Sequence, residues 1–191
     1  MAKIGLNNFR YSKLTESETG TATYAGAKKP ARAVSCKVSV STSSASLYAD
    51  DVLAESDTSF NNGTVTIGID EEDNATMADL LGHTLAEEGG EMVRNANDVS
   101  PYVGLGRVIV KMVNDARKYK VEFLCKVKFS EPSQDDKTKG ENVEFTTSEL
   151  EGTVSTLADG TWSKTKTFDT QADAIKYLEG LMAAPGAVSG H

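Results

Sequence analysis

The sequence predicts a mainly β fold, a β-sandwich of antiparallel sheets with one short flanking helix and a C-terminal amphipathic helix. Three observations carry this. Residues 119–129 alternate apolar and polar, and a second alternating run returns at 142–154 after a polar loop. Residues 34–41 and 64–69 alternate in the same way. Apolar spacing that suits a helix is confined to a short run at 75–81 and a longer one at 170–182. Period-two alternation marks half-buried strands, and recurrence every three to four residues marks an amphipathic helix.

Residues 1–31 are small, polar and punctuated by Gly5, Gly20 and Gly26, so they read as an N-terminal arm with one or two short strands. Val34, Cys36, Val38 and Val40 then alternate with Ser35, Lys37, Ser39 and Ser41. A second strand places Val65, Ile67 and Ile69 on one face. Between these two strands, residues 43–62 form a long inter-strand loop with no regular period, and Asn61-Asn62-Gly63 is a turn signal. Structureless connections of that length are uncommon and usually functional or disordered. This one carries Leu47, Tyr48, Val52, Leu53 and Phe60 beside Asp50, Asp51 and Glu55. It is a candidate contact surface, or else a loop folded over its own domain.

The acidic cluster 70–73 precedes Asn74, a candidate N-cap for a helix with Met77, Leu80 and Leu81 on one side and Gly82 as its stop. Residues 107–113 are apolar on both faces, which suits a central strand, and Asn114-Asp115 turns the chain back. In the next strand Tyr119, Val121, Phe123, Cys125, Val127 and Phe129 fall on one face. Lys120, Glu122, Lys126 and Lys128 fall on the other, broken only by Leu124. The return strand changes phase between Phe145 and Leu150, which predicts a β-bulge near residues 147–149. Asp159-Gly160 signals a hairpin between residues 154–157 and 161–168, and Trp162 is expected on the core. Thr170 caps a final helix that carries Ala174, Ile175, Leu178, Leu181 and Met182. A single domain over 1–182 is expected, with 183–191 a flexible or partner-ordered tail.

Composition narrows the function. The chain has 191 residues, a formal net charge of −8 and a pI near 4.8. A protein that grips nucleic acid by its phosphates is basic, so ordinary DNA binding is disfavoured, and so is docking on an anionic membrane. No signal-peptide pattern or membrane-spanning run is visible, and Cys36 and Cys125 read as reduced thiols, so cytoplasmic assembly is expected. Catalytic signatures are missing. His83 and His191 are the only histidines, neither lies in a nucleophile–histidine pattern, and no zinc or calcium spacing occurs. Gly104-Leu105-Gly106 precedes a strand and not a helix, which rules out a phosphate-binding loop. No catalytic residue, cofactor or metal is expected.

Several collinear segments resemble the phi13-type major tail proteins of long-tailed, non-contractile bacteriophages. They are Met1-Ala2-Lys3-Ile4-Gly5-Leu6, Leu47-Tyr48-Ala49-Asp50-Asp51-Val52-Leu53-Ala54-Glu55, and Tyr102-Val103-Gly104-Leu105-Gly106. Lys128-Phe129-Ser130-Glu131-Pro132, Thr138-Lys139-Gly140-Glu141 and Leu150-Glu151-Gly152-Thr153 extend the resemblance over nearly the whole chain.

The resemblance implies a tail-tube-type β-sandwich and a structural virion protein. Such subunits form hexameric rings that stack into a hollow tube, and DNA passes through it to the host as non-specific cargo. Implied partners are other copies of the chain, tail terminator and tail-tip proteins, and a tape-measure protein, with no membrane binding by this subunit. Residues 43–62 match the loop that bridges rings, which nominates Leu47, Tyr48, Asp50, Asp51, Val52, Leu53, Glu55 and Phe60 as contacts. DNA carries about one charge per 1.7 Å of its axis, so an acidic wall would repel it. Glu144, Glu149 and Glu151 are the candidates for lining that wall. The competing readings are the tube of a related phage-like injection particle and, from another class, a secreted β-sandwich binding module.

Overall fold

The computed structural model describes residues 2–30, 33–49, 52–69, 73–86, 90–133 and 148–184. In chain order the elements are β1 (Ala2–Glu16), β2 (Ala22–Tyr24), β3 (Ala33–Ala49), β4 (Val52–Ile69), α1 (Asn74–Leu81) and β5 (Thr84–Leu85). They continue with β6 (Met92–Val93), β7 (Tyr102–Val113), β8 (Ala116–Phe129), β9 (Ser148–Ser155), β10 (Ser163–Phe168) and α2 (Gln171–Leu181). The fold is mainly β, as the alternation predicts. One large sheet runs β2-β1-β7-β8-β9-β4-β3 with β10 on β8, and β5 and β6 pair separately. Every pairing is antiparallel.

The sheet is sandwich-like because its two wings share one core. Phe9, Tyr11, Val103, Leu105 and Leu124 from β1, β7 and β8 pack with Val65, Ile67, Leu150 and Val154 from β4 and β9. Met77, Leu80 and Leu81 of α1 close that core. On the opposite side of β7 and β8, α2 buries Ala174 and Leu178, with Met182 just beyond its end, against Val108, Val121, Phe123 and Cys125. Gly104 and Gly106 make this second layer possible. A Cβ on Gly106 would collide with Leu178, and one on Gly104 would enter the rings of Tyr24 and Phe123.

β8 therefore has two buried faces, and a bulge exchanges them. Its register with β7 slips between Val103 and Leu105, where Val127 and Leu124 are the partners, so β8 holds one residue more than β7 there. Tyr119, Val121, Phe123 and Cys125 face α2, whereas Val127 and Phe129 enter the sandwich core. The single apolar face expected over 119–129 is thus divided, and Leu124 faces the sandwich core.

Local signals were mostly realised. Asn114 and Asp115 both take positive φ (49° and 60°), forming the two-residue turn that joins β7 to β8. Thr170 caps α2 by accepting from the Asp173 N–H. Gly82 ends α1 in the left-handed region, but the cap of α1 is Asp73 and not Asn74. The Asp73 carboxylate accepts from the N–H groups of Ala75 and Thr76, which a charged acceptor at that end does well.

The N-terminal arm is the long inner strand β1 with the short β2 beside it, and two further expectations are corrected. Asp159-Gly160 does not join a hairpin: β9 and β10 both run antiparallel to β8, one after the other along the same edge. The turn is a side excursion in one strand line, closed by bonds from Leu157 N to Thr161 O and from Gly160 N to Leu157 O. The second correction concerns 43–62, which is not an irregular loop. β3 and β4 stay paired through Ala49 and Val52, with Asn61 and Asn62 inside β4 and not in a turn. The Ser-rich sequence of this ribbon lacks the alternation that would have marked these strands. The expected bulge at 147–149 and the first half of the return strand fall largely outside the described residues.

Candidate assembly surfaces

The β3–β4 ribbon is the most distinctive feature of the surface. β4 pairs with β9 only from Gly63 to Ile69, so the ribbon from 62 back to 52 has β3 as its sole partner among the described residues. On its other side β3 is the last strand of the sheet among the described residues. An isolated two-stranded ribbon is marginal in water, and an open edge is a template for another strand. Leu47, Tyr48, Val52, Leu53 and Glu55 lie on this ribbon by backbone position, and Asp50 and Asp51 lie outside the described residues.

Phe60 is different. Its ring stacks on Trp162 with centroids 4.7 Å apart and planes 6° from parallel, at the margin of the sandwich core. Half-buried, it stands at the root of the ribbon. Trp162 itself joins the core as expected, and its carbonyl accepts from Cys125 N, tying the excursion to the β8 bulge.

Glu149 and Glu151 are exposed neighbours on the outward face of β9, opposite the buried Leu150 and Gly152. Across the sheet Glu149 faces Gly68 and then Ser35, and Glu151 faces Thr66 and then Lys37. The two therefore share one face, as an acidic wall requires. Glu144 lies outside the described residues.

Polar groups inside the fold do work that alternation did not reveal. Arg107 donates through Nε to Glu122 Oε2 at 2.8 Å and through Nη1 to the Cys36 carbonyl at 2.8 Å. It thereby pins β7 to β3 across the sandwich. Glu122, expected on a wet face, is committed to this bridge. Lys126 is likewise paired, with Glu16 Oε2 at 2.6 Å, and Glu16 also accepts from Ala158 N. Those two contacts hold the Glu16 carboxyl below the usual carboxylate range. A hint existed in the sequence: Arg107 is a charge set directly before the apolar run Val108-Ile109-Val110.

A second cluster gathers on Asp79 of α1. It accepts from Tyr11 Oη at 3.2 Å, lies 2.9 Å from Lys13 Nζ and pairs with Lys28. Burial pushes the Asp79 carboxyl up, but donation from Lys28 and Lys13 outweighs it and leaves the group below its ordinary value. The same burial, with Asp79 alongside, drives the Tyr11 phenol well above its usual range. Such a phenol stays protonated and holds α1 against the sheet.

His83 is buried beside two carboxylates. Its Nδ1 is 2.7 Å from Asp98 Oδ2, and Nε2 lies against the Glu131 carboxylate off the hydrogen-bonding direction. This links the loops before β7 and after β8. The thiols of Cys36 and Cys125 are free, and burial raises both, Cys125 to about 11. No group of three or more metal-binding side chains is gathered among the described residues, and no described helix is long and apolar enough to cross a membrane.

A scan against protein-family models finds no match, and a search of the curated proteins finds none.

Proposed function

We propose that this chain is a self-assembling structural protein, the major subunit of a phage tail tube, with no enzymatic activity. The observation that carries the reading is the β3–β4 ribbon, which leaves the sheet with both of its edges unpaired among the described residues. A ribbon of that length gains stability when a second copy supplies the missing contacts, and head-to-tail contacts of this kind repeat into rings or stacks. The collinear resemblance to phi13-type tail proteins supports the same reading and supplies its biological setting, a virion tail through which DNA passes. The exposed pair Glu149 and Glu151 would suit a duct that repels its cargo.

Excision of residues 44–57, with a short turn joining the shortened strands, tests the role of the ribbon. Sedimentation velocity should find the full chain as large assemblies and the shortened chain as a monomer with an unchanged circular dichroism spectrum. Assemblies of equal size from both proteins would remove the ribbon from the interface.

A further inference from the structure

Charge is segregated along this chain. Residues 38–93 hold twelve acidic side chains and no lysine or arginine. Residues 107–128 hold seven basic residues against Asp115 and Glu122. The fold concentrates the basic block further. Register sets Lys3 opposite Lys111 and Lys111 opposite Lys118, so three lysine positions stand in a row across β1, β7 and β8. Lys120, two residues along β8, shares that face.

Like charges directly opposed across a sheet are destabilising, which makes such a row costly unless an anion meets it. Among the described residues only part of that compensation is supplied. Lys118 pairs with Asp169, and Lys120 lies 3.7 Å from Glu122, which already holds Arg107. Lys111 has no acidic partner among the described residues. A protein of net charge −8 thus keeps a positive strip at one end of its sheet.

We infer that this lysine row receives the acidic β3–β4 ribbon of a second copy. The inference rests on the self-assembly proposed above and names the surfaces that meet. The ribbon carries Glu55 and Asp57, with Asp50 and Asp51 between its strands in the sequence, and no basic residue between 38 and 62. At the usual rise per residue it extends about 35 Å beyond its last pairing with β9, a reach that suits a neighbouring subunit. Ribbon and row are different surfaces, so each copy can give one and receive the other. That is the geometry of an open stack.

Charge exchange on the full chain tests this. Lys111→Glu with Lys118→Glu reverses the row, and Glu55→Lys with Asp57→Lys reverses the ribbon. Each double variant should associate at least about tenfold more weakly than wild type at low salt, since juxtaposed like charges oppose docking. Wild-type association should itself weaken as salt is added. Mixing the two variants should restore association, because a reversed row then meets a reversed ribbon. Lys111→Glu alone places an acid between two lysines, so its melting temperature should not fall below wild type. Should the double reversal unfold, Lys111→Gln alone should still weaken association about threefold.

Association that is unchanged in both double variants overturns the docking and leaves self-assembly standing. A wild-type chain that stays monomeric at every concentration takes down both readings. A wild type that retains a short DNA duplex through the row, with no copy-to-copy association, overturns the inference in favour of a nucleic-acid site.

Discussion

Asp79 illustrates how single residues hold the parts of this fold together. It sits on α1, yet its carboxylate serves Tyr11 and Lys13 from β1 and Lys28 from the segment beyond β2. Because its folded-state value is depressed, it contributes stability above the unfolded carboxylate range and loses it as pH falls through its folded value. The chain should therefore weaken as pH drops below about 4, where a free aspartate begins to protonate. Urea midpoints should show Asp79→Asn less stable than wild type at neutral pH and less sensitive to acid. An equal acid dependence in both proteins would assign the effect to other carboxylates. None of this cluster was legible in the sequence, because its members come from three segments whose juxtaposition depends on the tertiary fold. Arg107 was nearly legible. A charge in a strand buried on both faces demands a partner, and Glu122 stands directly opposite in the β7–β8 register.

Strands were legible from their apolar pattern, but an exchange of faces within a strand buried on both sides was not. The alternation of β3 near Cys36 and of β4 near Ile67 gave those strands directly, and the spacing around Leu178 gave α2. The β8 bulge escaped notice because Cys125 and Val127 are both apolar, and both sides of β8 are covered there, one by α2 and one by the sandwich core. An exchange of faces then leaves no mark on the alternation. Asp159-Gly160 misled for a related reason: a turn signal is local and does not say whether the chain reverses or resumes its course. The glycines of β7 carry a clear consequence for α2. Gly106→Val would drive two methyl groups into Leu178 and Met182, both fully buried, and overpacking of that kind costs about 1–3 kcal/mol. Chemical denaturation should register that loss, and an unchanged midpoint would mean that α2 shifts without cost.

At the scale of the whole molecule the sandwich accounts for its own core, but its edges call for neighbours. Among the described residues β3 ends the sheet and the ribbon extends it without a third strand, and the half-buried Lys111, Lys118 and Lys120 gather at one end of the sheet of an acidic protein. The sequence pointed to residues 43–62 as a contact region from their apolar content and their resemblance to tail proteins. It did not disclose that the region is paired backbone, since serine, alanine and aspartate carry no period that separates a ribbon from a loop. Nor did it disclose that Phe60, one of the residues assigned to the contact, stacks on Trp162 at the margin of the core. Of the proposed lining, Glu149 and Glu151 share an exposed face of β9. That arrangement suits a channel wall only if the subunits close around it. Negative-stain electron microscopy of the purified chain at high concentration tests that closure most directly. Hollow, regularly striated tubes with six-fold end views are the predicted result, and a field of separate monomers at every concentration would contradict it.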